Sequence, residues 1–290
     1  MSGVARAISL PCRIAGLVPH EPPALLVDVL ADHEPDWGRA RGVVRADNPY
    51  LRPGGDLDPL VCIEMIAQGL AAHDGYARAT RGEPPGGGFL VGVRTFDVIG
   101  RLAEGDEFEV EAHRGLRIDS FQIAHGSIRA GGREIAAAEL KLYLTETAQL
   151  PLAPGPPIPA AAGGGPRLFP VERHWRREID RHRRCASYLL DESFPPFRGH
   201  FPGHPLLPAV ASAVLAAETV RALHDEPMAL ARLKGGKFLK PVFPGALVEV
   251  LCEKGSEAER IVWNVRLVES GAGFARMTLA FDPASPGTAR

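Results

Sequence analysis

The chain has 290 residues, a formal net charge of -2, and 45% hydrophobic and 23% charged residues. This length suits two domains of ordinary globular composition, and a pI near 6.6 argues against bulk nucleic-acid binding. No apolar run reaches the roughly 18–20 residues of a membrane span. Residues 1–10 lack the apolar core of a secretory signal, and the four cysteines form no CxxC pair. We therefore expect a cytoplasmic protein with no cofactor, structural metal or membrane contact.

In the first half, an extended segment near Gly42–Ala46 precedes a nearly all-apolar helix, predicted from Asp58 to about Tyr76. Asp58 suits the N-cap, Pro59 the first helical position and Gly75 a stop. A helix that is apolar on almost every side is buried. Four strand-like runs with alternating polarity follow, separated by turn residues: Gly88–Val98, Glu107–Leu116, Phe121–Arg129 and Glu134–Thr145.

A proline- and glycine-rich stretch then divides the chain. Residues 150–166 read LPLAPGPPIPAAAGGGP, without charge or periodicity, which is typical of a linker. The sequence therefore predicts a first domain over residues 1–149, a linker over residues 150–166 and a second domain over residues 167–290.

The second half repeats the element order of the first. Extended segments within Arg167–Leu190 lead to a second apolar helix, predicted from Pro208 to about His224. Four strand-like runs follow it: Leu230–Val242, Leu247–Lys254, Ile261–Val268 and Ala272–Phe281. A buried helix followed by an antiparallel meander is typical of a hotdog, a sheet curled around a central helix. Two copies predict an α+β double hotdog, packed as an internal pseudo-dimer. Assembly of the pseudo-dimer into a larger homo-oligomer is left open.

Four segments carry a resemblance to a known family. FRGHFPGHPLLPAV (Phe197–Val210) closely resembles the signature loop of bacterial 3-hydroxyacyl-[acyl-carrier-protein] dehydratases of the FabZ/FabA type. KFLKPVFPGALVEV (Lys237–Val250), VPHEPPALLVDVL (Val18–Leu30) and EMIAQ (Glu64–Gln68) are similar to other segments of these enzymes. As a fused pair, the chain most resembles the two partner dehydratases of aryl polyene biosynthesis, one of which keeps the His loop while the other has lost it.

The resemblance implies a reaction and a set of residues. Dehydration removes a proton from Cα of a thioester and expels the β-hydroxyl. This reaction suits an imidazole base, a carboxylic acid that protonates the leaving oxygen or holds it, and a backbone N–H facing the enolate oxygen. By the resemblance, His200 is the base, Glu64 the acid and Ala209 the residue with the oxyanion N–H. The same resemblance gives supporting positions at Gln68, Gly199, Phe201 and Pro202.

The two halves lack complementary parts of this site. The family acid follows its His by fourteen residues, which leads from His200 to Val214 (200 + 14) and from Glu64 back to Tyr50 (64 − 14). The pattern predicts one live site, in which His200 and Glu64 meet across the halves within about 10 Å, and one inert site at Tyr50 and Val214.

Three further side chains belong to this picture. Glu218, one helical turn after Val214, is an alternative acid, and direct participation of Gln68 is open. His20 is expected to hold a turn rather than to react.

The implied substrate is bound to an acyl carrier protein, an acidic partner. A basic rim in the second half is expected to dock it, with candidates Arg198, Arg232, Lys234, Lys237 and Lys240, extended by the basic run Arg173–Arg184. Opposite charges across such a rim raise the association rate. Two other functions remain: an acyl thioesterase of the hotdog fold, and a non-catalytic subunit that docks acyl carriers.

Overall fold

The computed structural model of the chain describes residues 8–146, 173–180, 183–222, 224, 227–256 and 260–283. The predicted linker lies outside the described residues, so the linker and the domain bounds stay predictions. No helix in the described part is long and apolar enough to cross a membrane.

Each half consists of one long helix and a set of strands. The first half contains β1 (Cys12–Arg13), β2 (Val29–His33), β3 (Trp37–Val43), α1 (Val61–Thr80), β4 (Gly87–Val98), β5 (Glu107–Ile118), β6 (Phe121–Ala130) and β7 (Arg133–Thr145). The second half contains β8 (Arg173–Asp180), β9 (Arg183–Leu190), α2 (Ala209–Arg221), β10 (Met228–Phe238), β11 (Ala246–Lys254), β12 (Ile261–Glu269) and β13 (Ala272–Pro283).

The strands form one continuous antiparallel sheet across both halves. Its order is β1-β2-β3-β5-β6-β7-β4-β10-β13-β12-β11-β9-β8. Strands β4 and β10 join the halves, with Leu233 opposite Phe96 and Gly236 opposite Val93. On either side of this junction the same strand order runs outward, as two copies related by a pseudo-twofold axis would give. The predicted double hotdog is confirmed.

The alternation of buried and exposed residues explains how the sheet curls around the helices. In β6, for example, Gln122, Ala124, Gly126 and Ile128 are buried while their neighbours are more accessible. This period of two turns one face of each strand toward a helix. Helix α1 packs mainly against β3 and β5, and α2 against β11 and β12, so both helices are buried on most sides.

The bounds of α1 differ from the predicted ones at both ends. Asp58 precedes the helix, and its Oδ1 accepts the N–H of Leu60 at 2.9 Å, so it caps the turn that leads into α1. The helix continues through Gly75 to Thr80, so the predicted stop is wrong. A Cβ at Gly75 would lie 2.2 Å from the carbonyl oxygen of Leu17. Glycine is needed there because another backbone crosses the helix at close range.

Candidate active site

His200 lies in the loop that enters α2, and its ring is held in one orientation. The side chain is buried, and Nδ1 donates to the carbonyl oxygen of Leu206 at 3.0 Å. The ring stacks on Phe201, with 4.2 Å between centroids. Because Nδ1 is occupied by a hydrogen bond to a carbonyl, the lone pair of the neutral ring is on Nε2.

The residue before His200 fastens this loop to the first half. Gly199 has a φ of +77°, and its carbonyl oxygen accepts the N–H of Glu21 at 3.1 Å. A Cβ at this position would lie 2.0 Å from the carbonyl oxygen of Glu21. The conformation and the close approach both require glycine. Pro202, by contrast, is exposed.

Glu64 lies in the first turn of α1 and is 6% exposed. Its Oε1 accepts a hydrogen bond from Nε2 of Gln68 at 3.1 Å and lies 3.2 Å from Nε2 of His20. Gln68 also donates to the carbonyl oxygen of Ala24 at 2.7 Å and accepts the N–H of Leu26 at 2.9 Å. Gln68 does not line the pocket described below, so it orients Glu64 and anchors the preceding segment.

These side chains meet in one cavity of about 320 Å³ between the halves. The nitrogen and oxygen atoms of His20, Glu64 and His200 that face each other lie within 4.8 Å of one another. The predicted meeting of Glu64 and His200 across the halves is therefore what the structure shows. His20 also belongs to this cavity: its ring contacts Glu64 and stands 5.3 Å from the ring of His200. That His20 does not itself react stays a prediction.

The environment fixes the charge states of the two predicted catalytic groups. Burial and, to a smaller extent, the nearby His20 lower the pKa of His200 to about 4, against the opposing effect of Glu64. For Glu64, burial raises the pKa, but the hydrogen bond and charge of His20, with His200 and Gln68, outweigh it and leave the pKa at about 2. Near neutral pH the site therefore pairs a neutral imidazole with a carboxylate.

Ala209 also lines this cavity and is the first residue of α2. The first N–H groups of an α-helix have no acceptor within the helix, and the helix dipole places partial positive charge there. The backbone N–H of Ala209 can therefore stabilise negative charge that develops on an oxygen in the cavity.

The position that corresponds to the His200 site by pseudo-twofold symmetry lies at Tyr50, and charges that neutralise each other lie beside it. Leu57 donates its N–H to the carbonyl of Leu102, and Leu207, 150 residues later (57 + 150 = 207), donates its N–H to the carbonyl of Val242. The same offset relates Tyr50 to His200. Both Tyr50 and Val214, the counterpart of Glu64 (64 + 150 = 214), are buried.

Beside Tyr50, the fully buried Asp58 forms ion pairs with Arg52 and Arg221. Glu218 binds Arg52 at 2.8 Å and Arg221 at 2.7 Å. We call these four residues the ion cluster. Glu218 lies in this cluster and not in the cavity of His200, so the alternative that it serves as the acid is wrong.

The donor set of the cavity also has the composition of a metal site. Two imidazoles and one carboxylate are a ligand set used by transition metals. In this structure, however, Glu64 is hydrogen-bonded directly to His20, and Nδ1 of His200 is bonded to a backbone carbonyl. Nδ1 of His20 is buried and has no hydrogen-bond partner in the described part of the chain. No further group of three such ligands occurs among the described residues.

The predicted basic rim is only partly available. Arg232 forms an ion pair with Asp97 across the β4–β10 junction, so its charge is neutralised between the halves. Lys237 and Lys240 are exposed, and Lys240 lines the cavity next to the 59% exposed Leu239. The cavity therefore opens at the end of β10. Arg198 and Lys234 are half-buried, and the side chains of residues 173–180 lie outside the description.

The double hotdog fold brings a His and a Glu from opposite halves into one cavity, as the resemblance to the 3-hydroxyacyl-[acyl-carrier-protein] dehydratases implies. Residues 12–151 match the family model of ApeP-like dehydratases, described as ApeP dehydratase. Residues 176–275 match the ApeI-like model, described as ApeI dehydratase. The chain is therefore a fusion of an ApeP-like and an ApeI-like dehydratase domain.

Individual relatives agree with this assignment over part of the chain. The 3-hydroxyacyl-[acyl-carrier-protein] dehydratase FabZ of Thermus thermophilus is 37% identical over 76 residues, 23% of this chain and 54% of the relative. The chain thus spans about half the length of the curated relatives it matches.

Two solved structures complete the comparison. A chain of the dehydratase heterocomplex ApeI:P from Xenorhabdus doucetiae is 24% identical, with 47% of this chain and 91% of the other covered and a TM-score of 0.43. The 12:0-ACP thioesterase from Umbellularia californica is 12% identical, with 86% and 94% covered and a TM-score of 0.54. The second likeness shows the fold alone.

Proposed function

We propose that this protein dehydrates 3-hydroxyacyl thioesters on an acyl carrier protein to trans-2-enoyl thioesters, in chain extension of the fatty-acid or aryl polyene kind. The observation that carries the proposal is the meeting of His200 and Glu64, from opposite halves, in one cavity beside the start of α2. The family matches of both halves and the FabZ relatives support the same reaction. The cytoplasm is the expected location.

The charge states suggest how the proton moves. Nε2 of the neutral His200 takes the proton from Cα, and the enolate oxygen accepts a hydrogen bond from the N–H of Ala209. The bond between Cβ and the hydroxyl oxygen then breaks as the double bond forms. Because the pKa of Glu64 is about 2, this group is a carboxylate that holds the β-hydroxyl by accepting its hydrogen bond. The proton on His200 leaves with the hydroxyl as water, so the imidazole is regenerated.

Product analysis separates this proposal from the two alternatives. Wild type is incubated with a 3-hydroxyacyl thioester, and enoyl thioester and free thiol are measured separately. A dehydratase forms the enoyl product, a thioesterase releases thiol, and a docking subunit does neither. His200→Ala and Glu64→Gln should each reduce enoyl formation by about 10²–10⁴-fold. Glu218→Gln, the matched helix carboxylate outside the cavity, should keep the activity. Thiol release without enoyl product would overturn the proposal.

An exposed row of basic residues supports the acyl carrier protein as the partner. In the sheet, Lys237 of β10 is opposite Arg276 of β13, which is opposite Arg266 of β12. All three are exposed, and none forms an ion pair with a carboxylate among the described residues. Like charges directly opposite each other on neighbouring strands cost stability. An acidic partner that neutralises this row, close to the cavity opening at Lys240, would offset that cost.

The docking proposal has a kinetic test. The double variant Lys237→Glu and Arg276→Glu should lower kcat/KM for a carrier-bound substrate and reduce its salt dependence. A short pantetheine thioester, which does not use the carrier, should be turned over as before. Arg133→Glu, an exposed residue at the β6–β7 turn, serves as the charge control. Equal losses for both substrates would assign the row to the fold or the site instead of docking.

A further inference from the structure

The carboxylate of Glu64 is buried without a lysine or arginine to balance its charge. The residue is 6% exposed, and the partners of its side chain in the described part of the chain are the amide of Gln68 and the ring of His20. Among the described residues that line the cavity, the only lysine and arginine are Lys240, at the opening, and Arg114, whose charge is already paired. Buried charges in proteins are usually paired or bound to a metal ion. The cavity therefore has a place for a cation that the chain itself does not supply.

Three side chains offer ligand atoms around this place. One ligand atom from each of His20, Glu64 and His200 lies within 4.8 Å of the other two, and the pair from His20 and Glu64 is already 3.2 Å apart. Zinc binds nitrogen and oxygen ligands at about 2.0–2.2 Å, so two ligand atoms on a tetrahedral ion are about 3.4 Å apart. Small movements of the rings would reach this spacing. Two imidazoles and one carboxylate, with the fourth position open, are also a ligand set of known zinc sites.

Two of these three ligands are held as metal ligands usually are. A metal-bound imidazole typically donates its other N–H to a carbonyl or carboxylate, and a metal-bound carboxylate is itself hydrogen-bonded. His200 donates from Nδ1 to the carbonyl oxygen of Leu206 at 3.0 Å, which leaves Nε2 to face an ion. Glu64 accepts a hydrogen bond from Gln68, and two backbone groups hold that amide in place. Both ligands are thus ordered before an ion arrives, which lowers the cost of binding it.

The third ligand has a ring nitrogen that the protein leaves without a partner. The side chain of His20 is 8% exposed and lines the cavity. Its Nδ1 is buried and has no hydrogen-bond partner in the described part of the chain. A buried polar atom without a partner costs free energy. Because imidazole binds metals through either ring nitrogen, coordination by Nδ1 would give this atom its partner.

We propose that His20, Glu64 and His200 together bind one divalent transition-metal ion of the zinc type, and that the bound ion inhibits the protein. The binding follows from the three side chains alone. The inhibition rests on the proposed function, in which Nε2 of His200 takes a proton from the substrate. A nitrogen that coordinates an ion has no lone pair left to act as a base. The metal-free protein is then the active form, and the concentration of free zinc sets the fraction of chains that are active.

Binding is measured with Zn²⁺ alone, on tag-free protein dialysed against EDTA and then against metal-free buffer. Equilibrium dialysis should find one tightly bound Zn²⁺ per chain. His20→Gln and Glu64→Gln should each weaken its binding at least about a hundredfold, because even changes to groups that only support metal ligands cost about 10–100-fold. His113→Ala is the matched control, since the exposed His113 also contacts a carboxylate, that of Glu111, and should bind Zn²⁺ as wild type does.

Inhibition is measured on the same preparations with a 3-hydroxyacyl pantetheine thioester at low concentration. Saturating Zn²⁺ should lower enoyl formation by wild type at least about a hundredfold, the usual minimum contribution of a general base. Half-inhibition should fall at the Kd found by dialysis, and added EDTA should restore the rate. Mg²⁺ at the same concentration is the ion control, because it prefers oxygen ligands and should not inhibit.

The outcomes separate the ion site from the proposed reaction. Absence of bound Zn²⁺, or equal binding by wild type, His20→Gln and Glu64→Gln, would overturn the site. Zn²⁺ bound at the site without loss of activity would overturn the inhibition. If metal-free wild type dehydrates no substrate, the proposed function fails, and the dialysis results still decide on the ion site. Circular dichroism checks that each variant is folded, and if one is not, the other decides.

Discussion

Nε2 of His20 lies 3.2 Å from Oε1 of Glu64, inside the cavity that also holds His200. The contact joins two segments 44 residues apart (64 − 20) and gives the site a third ionisable group. Its proximity lowers the pKa of both Glu64 and His200. His20 is thus placed to set the charge states on which the proposed proton transfer depends.

Replacing His20 should therefore shift the pH dependence. In His20→Ala, the pKa values of Glu64 and His200 both rise, so the acid limb of kcat/KM moves to higher pH. We also expect kcat to fall about tenfold, because Glu64 loses one of the groups that orient it. Full pH–rate profiles of the variant and of His113→Ala, an exposed histidine used as control, check this. An unchanged acid limb in His20→Ala would show that His20 does not tune the site.

The wild-type profile itself is informative. A base acts in its neutral form, which is present above its pKa, and the pKa of His200 is lowered to about 4. The acid limb of kcat/KM should therefore have its midpoint well below pH 6.5, with activity nearly level from pH 8 to about 5.5. Initial rates in buffers of constant ionic strength measure it. A midpoint at or above 6.5 would contradict a buried neutral His200.

Gly199 offers a test of how the His200 loop is held. Gly199→Ala introduces a Cβ that meets the carbonyl oxygen of Glu21, so the loop must move and kcat/KM should fall at least about tenfold. Gly203 also has a positive φ, of +74°, but has nothing within 4 Å of an added Cβ. Gly203→Ala therefore carries the same backbone strain without the clash. Similar losses in both variants would mean that strain, and not contact with the first half, explains the effect.

The ion cluster should matter for stability and not for chemistry. Asp58→Asn keeps the oxygen that caps Leu60 but removes a fully buried negative charge between Arg52 and Arg221. We expect a loss of about 2–4 kcal/mol in the free energy of unfolding, measured in urea, with kcat unchanged while the protein is folded. Asp56→Asn, at a half-exposed neighbour, should cost about 0.5 kcal/mol or less. A large loss of kcat in folded Asp58→Asn would link the cluster to the active site.

Chelation tests whether the cavity binds a metal ion that the reaction needs. Dialysis against EDTA should leave enoyl formation unchanged, because His20 and Glu64 already satisfy each other by a direct hydrogen bond. Metal content is measured before and after dialysis. Loss of activity that returns with a divalent ion would make His20, Glu64 and His200 ligands.

The sequence predicted most of the fold because the apolar periodicity is regular. Strand β12 was expected from Ile261 to Val268 and ends one residue later, at Glu269. The second-half strand expected to reach Val242 ends at Phe238 instead, since the following residues turn away at Pro241 to line the cavity. Gly75 shows what local sequence patterns cannot predict. Glycine is required there because the backbone at Leu17, 58 residues earlier (75 − 17), crosses the helix at close range.

Only the site residues that lie in a recognisable sequence motif could be predicted. The loop around His200 and the EMIAQ segment of Glu64 led to both groups. His20 was missed because a lone histidine in an irregular segment gives no periodic signal, although it lies in the opening segment that resembles the dehydratases. The pairing of Arg232 with Asp97 was also out of reach, because it depends on the register between β10 and β4.

The ion cluster also decides which halves can associate. Two of its four ion pairs join a first half to a second: Arg52 to Glu218, and Arg221 to Asp58. A first half paired with a copy of itself would set Arg52 against Gln68, the counterpart of Glu218 (68 + 150 = 218), and leave Asp58 without Arg221. Such a mismatch penalises self-association, which is how specific partners are selected. Covalent fusion then supplies the two non-identical halves in equal numbers, so every chain carries its own complement.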